Sequence, residues 1–164
     1  MKKLVLGEKK KEVKYDFRET CFGIVYKNHK FYVTEKEGEI SLIGGGIELR
    51  ETHTETLKRE FLEEAGLTIK NIEEFITIDC YWLTRNHDYM NSLANFYIVE
   101  VSEEIKEPTE ELSKLKILEE KEIKESLDLP YQKEAIKIFF EHYIKNKYFF
   151  INTYVIIKKE ERYI

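Results

Sequence analysis

The chain has little of several residue types, and each shortage excludes a class of protein. Only two of its 164 residues are cysteine, Cys21 and Cys80, and neither stands in a CxxC or Cys/His spacing, which excludes a disulfide scaffold or zinc module. With two prolines and seven glycines, the chain is neither collagen-like nor a low-complexity linker. We expect both thiols to lie in the core of a protein from a reducing compartment, the cytoplasm.

An excess of positive charge and a long hydrophobic run are also missing. The net charge of −5 provides no general field that would attract nucleic acid or an acidic membrane. The first apolar run, Leu4 to Leu6, is too short for a signal peptide, and YFFINTYVII, residues 148–157, has about half the ~20 residues of a membrane span. We therefore expect no nucleic-acid partner, no membrane span and no export signal.

What remains has the composition of one folded unit. Hydrophobic residues make up 42% of the chain and aromatic residues 13%, at a length typical of one domain. We predict a single domain over residues 1–164. Because an exposed apolar segment would invite aggregation, we predict that the C-terminal extension, residues 148–164, adds an edge strand or forms a homodimer contact.

The hydrophobic pattern predicts strands on both sides of a central helix, with a second helix beginning near Pro130. Alternating apolar residues from Val13 to Thr34 indicate a hairpin that turns at Asn28 and His29. Further strands are predicted at 39–43, 69–83, 92–101 and 115–118. This order indicates the α/β (α+β) class, with a mixed β-sheet packed between helices.

The central helix has clear start and stop signals. Thr52 followed by Glu55 is a capping box, and Leu57 and Phe61 recur at helical spacing. Gly66 stands where a helix C-terminus favours a left-handed residue. The pattern therefore predicts a helix between Thr52 and Gly66.

Three glutamates, Glu60, Glu63 and Glu64, share one turn of this helix, where like charges repel by a few tenths of a kcal/mol per pair. Glu64 lies nearest the apolar face, so we expect it to be partly buried and to need a cation. Arg59 can pair with Glu51, but one arginine cannot balance four carboxylates. Such a cluster is commonly a solvated surface; the alternative is a site for a hard divalent cation.

The spacing of the whole segment favours the second interpretation. Gly45, Glu51 and the run from Arg59 to Leu67 resemble, at every defined position, the Nudix box of the Nudix hydrolase family. The box reads G, five residues, E, seven residues, R-E, an apolar residue, any residue, E-E, any residue, G, an apolar residue. The resemblance implies an α/β/α sandwich with a mixed sheet, dependence on Mg²⁺ or Mn²⁺, and hydrolysis of a nucleoside diphosphate linked to another group.

The resemblance also implies a role for each residue of the box. It makes metal ligands and water-orienting carboxylates of Glu60, Glu63 and Glu64, with the Gly45 backbone as a further ligand. It makes Glu51, Arg59 and Gly66 structural support for the helix.

Family members often recruit one more carboxylate from a loop beyond the box. Pro108 marks an exposed acidic stretch in this chain, and we favour Glu110 or Glu111 within it as an additional catalytic group. A solvated acidic loop is the alternative for each residue taken singly. The other carboxylates of this stretch are Glu103, Glu104 and Glu107.

Substrate contacts are predicted from aromatic residues and histidines. Tyr81, Trp82 and Tyr89 could stack on a nucleobase, with core packing as the alternative. His53 and His87 could assist proton transfer or contact phosphate, with a plain surface role as the alternative.

Two functions are consistent with the sequence. The favoured one is a metal-dependent hydrolase of the diphosphate linkage in nucleoside triphosphates or related nucleoside diphosphate derivatives. The alternative is a nucleotide-sensing domain that binds a nucleotide without turnover. The intact box favours the enzyme, because a pure binder has no need for several mutually repelling carboxylates at these positions.

Overall fold

The structure, a computed structural model, describes residues 1–144, so the predicted C-terminal extension lies outside the described residues. The strands are β1 (Lys2–Leu6), β2 (Asp16–Lys27), β3 (Lys30–Lys36), β4 (Glu39–Gly46), β5 (Leu67–Leu83), β6 (Tyr89–Ile105) and β7 (Ser113–Glu119). The helices are α1 (His53–Ala65), α2 (Glu120–Ser126) and α3 (Pro130–Phe139), and a π-helical turn over Phe140–Ile144 follows α3. None of the helices in this part of the chain has the length and hydropathy of a membrane span.

The seven strands form one sheet in the order β1-β5-β6-β2-β4-β3-β7. The β1–β5 and β2–β6 pairs are parallel, while β2–β4, β3–β4, β3–β7 and β5–β6 are antiparallel. The sheet is therefore mixed, as predicted. Strand β2 lies between β6 and β4, and its Cys21 is opposite Gly45 of the glycine run.

Alternate residues of β2 belong to separate hydrophobic clusters on the two faces of the sheet. Phe22 and Ile24 pack in the cluster that contains residues of α2 and α3. Cys21 and Val25 pack with residues of α1 in the other cluster. Because side chains alternate between the faces of a strand, helices cover both faces. The predicted α/β/α sandwich is confirmed.

The signals at the ends of α1 work as predicted. The Thr52 hydroxyl accepts from the Glu55 N–H, and the Glu55 carboxylate accepts from the Thr52 N–H at 2.8 Å, which completes the capping box. Gly66 ends the helix at φ +65°, and a Cβ there would lie 1.8 Å from the Lys106 carbonyl oxygen. Only glycine combines this backbone conformation with this close approach.

Two differences from the predicted elements concern strands. Strand β1 has no strong local signal, because it is a five-residue edge strand that is stabilised by parallel pairing, from Lys2 with Ile76 to Leu6 with Cys80. Strand β6 begins at Tyr89, three residues before the predicted start, because β5 continues to pair with it out to Leu83. The hairpin turn is as predicted, and Asn28 and His29 have φ of +52° and +61°.

Candidate active site

Arg59 connects the loop before α1 to the carboxylates on the helix. Its Nε and Nη2 donate to the two carboxylate oxygens of Glu51 at 2.7 and 2.9 Å, and Nη2 also donates to the Gly46 carbonyl at 3.2 Å. Its Nη1 donates to Glu60 at 2.9 Å and to Glu63 at 3.2 Å. The guanidinium therefore has partners on the glycine strand, the loop and the helix.

Glu51 is held by more than the arginine. Its carboxylate also accepts from the Glu48 N–H at 3.1 Å and from the Thr56 hydroxyl at 2.8 Å. The bidentate bond from Arg59, followed by these weaker donors, lowers the pKa of Glu51 to about 2. Glu51 is thus ionised at any ordinary pH and anchors the loop to the start of α1.

The glycine run allows helix α1 and its carboxylates to approach β4 closely. A Cβ on Gly44, whose φ is +146°, would lie 2.1 Å from the Cys21 carbonyl oxygen of the neighbouring strand. A Cβ on Gly45 would lie 2.5 Å from Glu60 Oε1. The Glu60 carboxylate therefore rests against the β4 backbone in space that any larger residue would fill.

Glu64 is the most strongly perturbed carboxylate of the cluster. Burial, followed by the negative charges of Glu60 and Glu110, raises its pKa to about 8. The Gly44 N–H, which donates to Glu64 Oε2 at 3.2 Å, and the charge of Lys36 act in the opposite direction. Burial also raises the pKa of Glu60, although Arg59 opposes it. Glu60 thus has a cation beside it, whereas Glu64 has no ion-pair partner among the described residues.

The donor atoms here fit a hard divalent cation in their chemistry. They are carboxylate oxygens, which Mg²⁺ and Mn²⁺ prefer. A bound cation would also supply the positive charge that Glu64 lacks. Within residues 1–144, however, no three acidic, histidine or cysteine side chains stand at metal-holding spacing. Since Arg59 engages both Glu60 and Glu63, a cation would have to draw these carboxylates away from the guanidinium.

Of the loop carboxylates that the sequence offered, Glu110 lies at the cluster. Its N–H donates to the Glu63 carbonyl at 2.8 Å, its carboxylate pairs with Lys36, and its charge raises the pKa of Glu60 and Glu64. Glu111 is exposed, and its side chain makes no hydrogen bond or ion pair within the described part of the chain. Glu103 pairs instead with Lys27 near the end of β2.

The predicted aromatic contacts are separate from these carboxylates. Trp82 donates from Nε1 to the Ser92 hydroxyl at 3.0 Å and packs edge-on against Tyr131 of α3. Tyr81 and Tyr89 both make edge contacts with Tyr15, with ring centroids 5.3 and 5.6 Å apart. The structure therefore places Trp82 against the α3 side of the fold, and the two tyrosines in a group around Tyr15.

The two histidines have different surroundings. His53, the first residue of α1, lies with Nδ1 2.6 Å from the Tyr97 hydroxyl and Nε2 3.3 Å from a Glu19 oxygen. His87 is exposed in the β5–β6 loop, where its N–H donates to the Thr84 carbonyl. Reasoning from sequence missed Glu19, Tyr97 and Lys36, because no local pattern connects them to the box.

Comparisons with known proteins agree with this description. A family model described as NUDIX domain matches residues 17–140. A MutT protein from Bacillus halodurans superposes with a TM-score of 0.61 at 23% identity, over 73% of this chain and 80% of its own.

Two further solved structures share the fold. A NUDIX hydrolase from Nitrosomonas europaea superposes with a TM-score of 0.62 at 15% identity, over 77% of this chain and 90% of its own. A MutT NUDIX hydrolase from Burkholderia pseudomallei superposes with a TM-score of 0.56 at 16% identity, over 74% of this chain and 97% of its own. No curated protein matches in sequence. With the family match over most of its length, and with the box folded around one arginine, the chain belongs to the Nudix hydrolase family.

Proposed function

We propose that this chain is a metal-dependent hydrolase that cleaves the diphosphate linkage of nucleoside triphosphates or related nucleoside diphosphate derivatives. The observation that carries the proposal is Glu64, a partly buried carboxylate that lies against the glycines of β4 and has no ion-pair partner among the described residues. A folded protein gains no stability from such an unpaired carboxylate, so a ligand that supplies positive charge is the simplest reason for it.

We assign the metal site to the box. Glu60, Glu63 and Glu64 would hold Mg²⁺ or Mn²⁺, with the Gly45 backbone as a further ligand and Glu110 as the nearest carboxylate outside the box. The cation, when bound, supplies neutralisation of the diphosphate charge and a lowered pKa for a bound water.

The side chains have distinct tasks in this reaction. The water oxygen forms a bond to phosphorus as the phosphorus–oxygen bond of the anhydride breaks, and one carboxylate accepts the proton of the water. The carboxylates of the box and Glu110 are the candidates for this proton transfer, and we place Glu64 first because the Gly44 N–H holds its carboxylate against β4. Arg59 and Glu51 hold α1 and the glycine strand in register. The structure supports Glu110 over Glu111 as the catalytic group of the loop.

The aromatic residues Tyr81, Trp82 and Tyr89 remain our proposal for contacts with the nucleobase. Tyr81 and Tyr89 are partly exposed, so their rings could meet a base by stacking. The buried free thiols of Cys21 and Cys80 agree with a reducing compartment, and we propose the cytoplasm.

One observation favours a second function, a nucleotide-sensing domain without turnover. Arg59 holds Glu60 and Glu63 in ion pairs, an arrangement that is stable without any cation. A protein that never releases these carboxylates could bind a nucleotide but not hydrolyse it.

A panel of nucleotides with Mg²⁺, assayed for released phosphate and pyrophosphate, separates the two functions. We expect turnover of at least one compound, abolished by chelation of the cation. No turnover of any compound, together with an increase in thermal stability on nucleotide binding, would instead support the sensor.

A further inference from the structure

Lys36 is the last residue of β3, and it lies where the acidic loop before β7 rejoins the sheet. The register pairs it with Ser113, the first residue of β7, so β3 is adjacent to the end of the loop at residues 106–112. Its ammonium group forms an ion pair with Glu110. Because the Glu110 N–H also donates to the Glu63 carbonyl at 2.8 Å, this ion pair places Lys36 beside the box.

The backbone of the loop is attached to the end of α1 at two points. The Lys106 N–H donates to the Gly66 carbonyl at 2.8 Å, and the Glu110 N–H donates to the Glu63 carbonyl at 2.8 Å. The Glu110 main chain therefore stays beside the helix whatever its side chain does. What remains adjustable is the carboxylate, which can point to Lys36 or to the cluster.

Arg59 and Lys36 divide the balancing of charge between them. Arg59 pairs with Glu51, Glu60 and Glu63, whereas Lys36 pairs with Glu110. Lys36 is therefore the cation on the side of the cluster that Arg59 leaves uncovered. A divalent cation bound there would oppose the ammonium charge and attract the same carboxylate.

We propose that Lys36 is a positioning residue that holds the Glu110 carboxylate beside the box in the cation-free protein and competes with the divalent cation for it. The inference deepens the proposed function, because it rests on the same cation site. Lys36 thereby sets the cation concentration at which the site fills. When the cation binds, the Glu110 carboxylate exchanges the Lys36 ammonium group for the metal.

The test measures Mn²⁺ binding by titration calorimetry without nucleotide, so it needs no turnover. We expect Lys36→Met to bind Mn²⁺ roughly three- to tenfold more tightly than the wild type, because one competing positive charge is gone. Lys36→Arg, which keeps the charge, should bind as the wild type does. The matched control is Lys27→Met, which breaks a similar lysine–glutamate pair, with Glu103, away from the box; it should leave Mn²⁺ affinity unchanged.

A double-mutant cycle distinguishes action through Glu110 from a general loss of charge. In a Glu110→Gln background, adding Lys36→Met should change Mn²⁺ affinity less than it does in the wild type. An affinity of Lys36→Met equal to or weaker than that of the wild type would overturn the proposal. An undiminished gain in the Glu110→Gln background would overturn it too.

The outcomes for the two proposals remain separate. If the wild type binds Mn²⁺ with the expected dependence on Lys36 and hydrolyses no nucleotide, the inference holds and the proposed hydrolase fails. If the wild type does not bind Mn²⁺, the inference fails. Thermal unfolding of every variant in chelator identifies any loss of affinity that comes from misfolding.

Discussion

At the scale of single residues, Glu64 shows the conflict between folding and chemistry in this site. Its carboxylate accepts a hydrogen bond from the Gly44 N–H, and burial disfavours its ionised form enough to raise its pKa to about 8. A glutamate in the unfolded chain titrates near 4.5, so ionisation of Glu64 lowers the stability of the cation-free fold as pH rises. We interpret that cost as the consequence of keeping a reactive carboxylate ready for a cation.

Replacing Glu64 with Gln should separate activity from stability. Because the folded-state pKa lies above the unfolded value, wild-type stability decreases as pH rises from about 4.5 to 8, and a glutamine has no such decrease. We therefore expect the cation-free variant to be more stable at pH 8, by on the order of 2 kcal/mol, while Mg²⁺-dependent turnover falls by orders of magnitude. Urea unfolding in chelator at pH 5 and pH 8 measures the difference.

The control is Glu125→Gln, an exposed glutamate of α2 on the other face of the sheet, which should retain turnover. Unchanged activity of Glu64→Gln would rule out its assignment as a catalytic residue. Parallel pH dependence of stability for the variant and the wild type would contradict the account of its burial.

Alanine at Gly44 should mainly reduce stability, whereas alanine at Gly45 should mainly reduce turnover. At Gly44 the new methyl group would meet the Cys21 backbone, and φ of +146° is unfavourable for alanine, so we expect a loss of about 1–3 kcal/mol in the free energy of unfolding. At Gly45 the three nearest atoms that it would meet all belong to the end of the flexible Glu60 side chain. Gly45→Ala should therefore fold nearly normally and lose turnover.

Unfolding in urea and Mn²⁺ affinity, measured on both variants, check this contrast. Equal stability losses at the two positions would show that Glu60 is not free to move. Full turnover by Gly45→Ala would show that the position of Glu60 against β4 is not needed.

At the scale of elements, helix α1 is positioned by polar contacts as well as by its buried face. Leu57 and Phe61 are fully buried, and Gly23 makes room for Phe61, because a Cβ on Gly23 would lie 2.4 Å from the ring. Arg59 and Glu51 then set the helix relative to the loop and β4. Apolar packing holds the helix on the sheet, and the ion pair orients its carboxylates.

The Glu51–Arg59 pair predicts a particular sensitivity to acid. Because the pKa of Glu51 is lowered to about 2 in the fold, its stabilising contribution is complete above the unfolded value near 4.5 and is lost as pH falls towards 2. Glu51→Gln should be less stable than the wild type at pH 7, and the gap should close between pH 4.5 and pH 2. Urea unfolding across this range tests the prediction, and a gap independent of pH would contradict it.

At the scale of the whole molecule, the site is assembled from parts that are far apart in the chain. The glycines come from β4, the carboxylates from α1, Glu110 from the loop before β7, and Lys36 from the end of β3. The sheet brings them together because β3 pairs with both β4 and β7. The pairing of β7 with β3 therefore brings the loop that carries Glu110 to the box.

The C-terminal extension yields a prediction at the same scale. Its apolar residues, 148–157, are expected to be covered by the rest of the fold or by a second copy of the chain. A chain ending at Lys147 should therefore be less stable or change its oligomeric state, measured by urea unfolding and light scattering. A truncated chain with the same oligomeric state and the same stability as the full chain would reject both roles.

The sequence by itself determined those features that rest on interactions between near neighbours. The capping box spans Thr52 to Glu55, the helix ends at Gly66 in a left-handed conformation, and the alternation in β2 assigns residues to two faces. The Nudix box also lies within 23 consecutive residues, so its spacing was readable before any fold was known. Local backbone preferences and hydrophobic periodicity are sufficient for such features.

Only the tertiary structure decided which distant residues lie beside the box. Lys36 and Glu110 are 74 positions apart and His53 and Tyr97 are 44 apart, and no periodicity connects residues across such distances. Our proposal of Glu110 over Glu111 rests on a backbone hydrogen bond to α1 and an ion pair with Lys36, and strand β1 depends on its pairing with β5. These contacts form only when the sheet is assembled, because the register of its strands determines which distant residues become neighbours.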